Sequence, residues 1–385
     1  MVDHTPRPVE PELSDEVAAR RRGLRTGFTT GTCASAAAKA AAIGLATGAV
    51  PGEVEVGLPN GTRVSFPVVR SGPITDGEPS VAVVVKDAGD DPDCTDGARM
   101  TASVSWLDAD AGKELHELAG GTGIGTITKR GLGLPVGAPA INPVPRRMIL
   151  AALSEVPGLA GSPGGGRSVR VVFSVPDGEQ MATKTSNERL GILGGISILG
   201  TSGIVRPFST AAYRASVVQQ VDVAAAEGEA TMVLCTGARS EKAATATFPA
   251  LDQVCFVEVG DFTGIALRRC AAAGMRAAVV VAMVGKITKL ADGVMMTHWH
   301  RSAVDTQLLE RVARETGAPP EVVAAATETA TARHFYEVCV AAGAIAPLER
   351  LCQLAVSTCR AHVDDKLSIE VLLVDFEGEA VVARA

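Results

Sequence analysis

The stretch "ATMVLCTG", Ala230–Gly237, decides the fold. It is a short apolar run that ends in a polar residue and a glycine. Two more apolar runs also end in a glycine, "QVCFVEVG" at Gln253–Gly260 and "MRAAVVVAMVG" at Met275–Gly285. Strands this continuously apolar are buried on both faces, as in a parallel sheet. Helix-forming stretches stand around them: Ala211–Gly228 before, and Ser240–Phe248 and Phe262–Gly274 between them. Strand and helix in alternation predict an α/β architecture with a parallel sheet covered on both faces. Further helices are expected over Arg301–Thr316, over Glu321–Ala342 with a break near Thr329, and over Pro347–His362. The chain closes on hairpin-like strands at 366–385, whose docking the pattern leaves open.

The amino-terminal half has another rhythm. Residues 31–47 form an alanine-rich helical pattern, ended by Gly48 and Pro51. Short alternating runs follow: "EVEVGL", "RVSFPVV", "VAVVVKD" and "TASVSWL", with Asn60-Gly61 as a hairpin signal between the first two. They predict a mostly antiparallel sheet with the first helix packed on it. Two glycine-rich segments, "GGTGIG" at Gly120–Gly125 and "GGISILGTSG" at Gly194–Gly203, let main-chain N–H groups approach a ligand or let packed elements turn tightly. Residues 1–22, rich in Pro, Glu and Arg, are read as a disordered leader. The expected division is an α+β domain over 23–180 and a parallel α/β domain over 181–365, followed by the terminal strands.

Composition narrows the function. Of 385 residues, 3% are aromatic and the net charge is −7, so stacking platforms are few and the charge gives no basic footprint for nucleic acid. No uncharged apolar run is long enough to cross a membrane. Eight cysteines without a C-x-x-C pair read as reduced core thiols of a cytoplasmic protein.

The three strand ends carry Thr236-Gly237, Gly260-Asp261 and Gly285-Lys286. Ligands of open parallel sheets sit at that edge. Asp261 suits a nucleoside's ribose hydroxyls, and equally a helix cap. No G-x-G-x-x-G stands at these turns, which disfavours a dinucleotide dehydrogenase. Lys129, Arg130, Lys286 and Lys289 stand beside glycines, all read as loop positions, and fit a ligand carrying several carboxylates. A solvated surface explains any one of them alone. Thr29, Thr30 and Thr32 at the mouth of the first helix, with Arg25 upstream, suit a carboxylate as well. His298 and His300 alternate around Trp299, which points two rings apart, so no protein metal site is expected.

Four blocks, "RTGFTTGTCASAAAKAA", "GGTGIGTITKRGLGLPVGAPAINPVPRRMI", "RLGILGGISILGTSGIVRPFS" and "GDFTGIALRRCAAAGMRAAVVVAMVGKITKLADGVMMTH", resemble the cobalt-precorrin-5B C1-methyltransferase family, in the family's order and across most of the chain from Gly23 onward. Phe28 departs from the family's usual tyrosine, and Arg206 and Phe208 also differ. The resemblance implies methyl transfer from S-adenosylmethionine to C1 of a cobalt-bearing tetrapyrrole, with cobalt present only in the substrate. It also implies two α/β domains, the second Rossmann-like. Under it, Arg25, Thr29, Thr30, Thr32, Lys129, Arg130, Lys286 and Lys289 are candidate substrate contacts. Thr236, Gly237, Gly260 and Asp261 are candidate donor contacts. His298 is a candidate base, or a carboxylate ligand. Neighbouring pathway enzymes are candidate partners. A tetrapyrrole carrier without methyl transfer is the competing reading.

Overall fold

The computed structural model describes residues 23–69, 72–73, 77–107, 115–163, 165–297, 305–328 and 331–385. The chain divides at Ser209/Thr210 into two compact units. The second glycine-rich segment therefore folds with the first unit, and the terminal strands fold with the second.

In the first unit, α1 (Thr30–Thr47) is the central element. The hairpin β1 (Glu53–Gly57) and β2 (Arg63–Pro67) follows, paired antiparallel with Val54 opposite Phe66. Strands β3 (Ser80–Val85), β4 (Arg99–Trp106) and β5 (Glu117–Gly120), then α2 (Pro143–Ser154) and β6 (Val169–Ser174), complete the frame. The sheet order is β3-β4-β6-β5, antiparallel except for the β6–β5 pair. Helix α1 packs against β3 and β4 and against α2. Its alanines, from Ala34 to Ala42, are almost all sealed from solvent. Small side chains let the helix axis approach several neighbours closely, so the stripe is explained by packing alone. At Gly31 an added Cβ would lie 2.7 Å from Pro145 of α2.

The second unit opens with α3 (Thr210–Ala226). Strand β7 (Thr231–Cys235), α4 (Ala238–Thr247), β8 (Phe256–Glu258), α5 (Thr263–Ala272), β9 (Ala277–Ala282) and α6 (Val284–Ala291) then alternate. Helices α7 (Thr306–Glu315), α8 (Pro320–Glu328), α9 (Ala332–Ala341) and α10 (Ala346–His362) lead to β10 (Ser368–Val374) and β11 (Val381–Arg384). The sheet order is β8-β7-β9-β10-β11, parallel through β10, with β11 antiparallel at the edge. The closing hairpin thus extends the parallel sheet. From β7 the chain goes to β8 on one side, then crosses to β9 on the other. That reversal is a topological switch point, the place where open α/β sheets take their ligands, at the carboxyl ends of β7 and β9.

The segment Gly285–Lys289, expected as a loop, is helical within α6. Its flanking glycines mimic a turn, but Ile287 and Leu290 are buried on one face, which holds the turns of helix together.

Candidate functional site

The amino end of α1 is closed by the chain itself. Thr29 caps the helix, its hydroxyl accepting from Thr32 N at 3.3 Å. Thr30 Oγ1 donates to Ser197 O at 3.0 Å and accepts from Leu199 N at 2.9 Å. Thr32 Oγ1 donates to Gly203 O at 2.7 Å, and Gly31 N donates to Leu199 O at 3.1 Å. All three threonines are buried. At the helix mouth where the sequence suggests a carboxylate site, these bonds form a clasp on the 197–203 loop. Arg25 is turned to other work: it pairs with Asp87, and its N–H reaches Asp90 Oδ2 at 2.6 Å.

The two glycine-rich segments bind one another. Gly123 and Ile124 pair in parallel with Gly195 and Ile196, and Thr126 and Ile127 pair antiparallel with Leu193 and Ile192. A Cβ at Gly195 would overlap the Gly123 main chain, so close backbone approach accounts for the glycines there. Lys129 and Arg130 follow this pairing, with Lys129 half-buried over Gly191 and Arg130 exposed.

The strand-end residues of the second unit converge. Lys286, one turn into α6, donates from Nζ to Thr236 O and to Gly260 O, both at 2.8 Å. The same ammonium stands 3.4 Å from Asp261 Oδ1. Thr297 Oγ1 donates to that oxygen at 3.2 Å, and Thr297 N donates to Asp261 O at 3.3 Å. Lys289 Nζ donates to Thr297 O at 3.1 Å, and burial lowers the pKa of its amine. The three N–H donors of Lys286, a residue the sequence offers to substrate carboxylates, face three protein acceptors.

Backbone constraints fix the same place. Gly260 has φ +54, and a Cβ there would lie 3.1 Å from the Tyr213 hydroxyl. Tyr213 Oη donates to Glu258 O at 2.9 Å. Gly237 N donates to Ser240 Oγ at 3.0 Å, which starts α4, while the space beside the Gly237 and Gly285 Cα atoms is open. Asp261 Oδ2 accepts no hydrogen bond among the described residues. The arrangement offers a fixed carboxylate oxygen beside open main chain, suited to a nucleoside's hydroxyls and polar edges.

Thr297 and Tyr213 escaped the sequence reading. Thr297 carries no motif of its own, and Tyr213 sits in a helix upstream of the first strand. His298 lies outside the described residues. Among the described residues no group of three or more His, Cys, Asp or Glu is placed to hold a metal, and no helix is long and apolar enough to cross a membrane.

The CbiD family model matches residues 17–207, and the CbiD C-terminal domain model matches residues 296–385. A cobalt-precorrin-5B C(1)-methyltransferase of Salinispora arenicola is 53% identical over 87% of this chain and 86% of its own. One of Rubrobacter xylanophilus is 53% identical over 84% of this chain and 81% of its own. A crystal structure of the cobalamin biosynthesis protein cbiD from Archaeoglobus fulgidus is 27% identical, covering 80% of this chain and 93% of that one, with a TM-score of 0.38.

Proposed function

The chain belongs to the CbiD family, and from that premise we propose that it methylates C1 of cobalt-precorrin-5B with S-adenosylmethionine as donor, bound at the carboxyl ends of β7, β8 and β9. One observation carries the donor half: Thr236, Gly260 and Asp261, from two strand ends, are drawn together by Lys286 from a third.

Asp261 would accept from the ribose hydroxyls. Thr236 and the open main chain at Gly237 would line the donor's polar edge. The donor supplies a sulfonium methyl that is already activated toward a carbon nucleophile. What is asked of the protein is alignment and exclusion of water. The macrocycle brings its own cobalt and a rim of carboxylates. Lys289, held to Thr297 beside Asp261, is the cation proposed to meet that rim. His298 keeps the sequence-based proposal of taking a proton from the macrocycle. A cytoplasmic site of action is supported by eight free thiols, seven of them buried.

The test is a single turnover with methyl-labelled S-adenosylmethionine and cobalt-precorrin-5B, read by mass spectrometry and NMR of the macrocycle. Label at C1 is expected. Tight macrocycle binding by folded protein without label transfer would replace this reading with a carrier.

A further inference from the structure

Asp261 is held through one of its two oxygens. Lys286 Nζ and Thr297 Oγ1 both address Oδ1, at 3.4 and 3.2 Å. Thr297 is also tied to the Asp261 main chain, and Thr297 itself is buried. The carboxylate cannot rotate without giving up both partners. Oδ2 is left as the acceptor, and the side chain keeps 27% of its surface exposed.

Lys286 does more than pair with Asp261. Its other two contacts are carbonyls of Thr236 and Gly260, which lie 50 and 26 positions away in sequence. Those carbonyls close the turns after β7 and β8. A lysine placed to reach a substrate would keep its ammonium in solvent or beside a vacancy of its own size. Here every N–H has a protein acceptor, and only 28% of the side chain is exposed.

We infer that Lys286 is a positioning residue for the methyl donor: it locks the turns after β7 and β8 and sets Asp261 so that Oδ2 meets the donor's ribose hydroxyls. The inference rests on the donor reading above and deepens it. It moves Lys286 from the substrate's side of the reaction to the donor's. An acceptor fixed before binding spares the ordering cost at the moment of binding, so the gain falls on hydroxyl recognition in particular.

The experiment is calorimetric titration of the full chain with S-adenosylhomocysteine and with its 2′-deoxyribose counterpart. Wild type is expected to prefer the ribose form by about tenfold, the scale of one hydrogen bond to a charged group. In Lys286→Met the preference falls to near unity. In Thr297→Val, which removes the second hold on Oδ1 with little change of shape, it falls part of the way. The Thr297 variant decides the matter if Lys286→Met does not fold. A ribose preference retained in the folded variants overturns the positioning role, as does an equal loss for both ligands with the preference intact. Equal affinity of wild type for the two forms overturns it too. Wild type that binds neither ligand brings down the donor reading itself, an outcome distinct from the others.

Discussion

Thr30 donates its hydroxyl to the carbonyl of Ser197 at 3.0 Å, across 167 positions of sequence, and accepts from the N–H of Leu199 at 2.9 Å. One side chain thereby satisfies two main-chain groups of a loop that has few regular partners. With Thr32 on Gly203, it fastens the second glycine-rich segment to the first turn of α1. The Thr30→Val variant keeps the shape and removes both bonds. It should lose about 1–3 kcal/mol, the cost of leaving buried polar groups unpaired. Denaturant unfolding measures this. Unchanged stability together with weakened macrocycle affinity would return the helix mouth to a ligand role.

The same residues show what a sequence can and cannot say. The strand ends at Thr236, Gly260 and Lys286 were legible because a parallel sheet delivers every carboxyl end to one edge, whatever the chain does between. A hydroxyl at a helix mouth, as at Thr30, looks the same in sequence whether a ligand or a distant loop fills it. Only the partner's location decides, and Ser197 carries no local mark of being that partner. Gly285–Lys289 was misread as a loop because glycine at 285 and Asp292-Gly293 bound an eight-residue helix that leaves little room for periodicity. Thr297 had no signal outside the family resemblance. The pairings between the glycine-rich segments involve two residues each, too short for alternation to reveal them.

Acid should weaken the first unit through Glu155. Its carboxylate meets Arg63 of β2 at 2.7 Å and also pairs with Lys39 of α1. The Arg63 hydrogen bond, opposed by burial and helped by Lys39, pulls the carboxyl from 4.5 down to about 2. A folded pKa below the unfolded one means stabilisation that is full above pH 4.5 and fades as pH falls toward 2. Unfolding followed from pH 6 to pH 2 should therefore show a smaller acid loss in Glu155→Gln than in wild type, with the variant less stable at neutral pH. Parallel curves for the two proteins would remove Glu155 from the account.

Gly260 is the strand-end glycine that alanine cannot replace. Its φ of +54 is the left-handed region, and the added Cβ would press on the Tyr213 ring, with the nearest ring carbon at 3.2 Å. Gly260→Ala should cost about 1–2 kcal/mol of strain. The strain is relieved by moving the carbonyl that Lys286 holds, so donor affinity should drop severalfold while the first unit is untouched. Gly52→Ala of the first unit is the control, because its added methyl meets open space. Equal donor affinity in Gly260→Ala and wild type, by calorimetry with S-adenosylhomocysteine, would show that this turn does not shape the donor site.

The buried pair Lys86–Asp93 yields a prediction of opposite sign for one change and for two. Lys86 is 2% exposed, and its ammonium meets Asp93 Oδ2 at 2.7 Å. Asp93 Oδ1 accepts from the Thr95 N–H at 2.7 Å and hydroxyl at 2.6 Å, which closes the turn that follows. Asp93→Asn keeps an acceptor for Thr95 but strips the countercharge from a sealed ammonium. Removing one partner of such a pair costs about 3–5 kcal/mol, because the other charge stays buried without compensation. Replacing Lys86 by Met as well takes that charge away and leaves an apolar chain of similar length. The double variant Lys86→Met/Asp93→Asn should therefore be more stable than Asp93→Asn alone, and should approach wild type. Denaturant unfolding of the four proteins in the cycle gives the comparison directly. A double variant as unstable as the sum of the two single ones would mean that the pair does not act as a unit, and that Lys86 is needed there for something other than its charge.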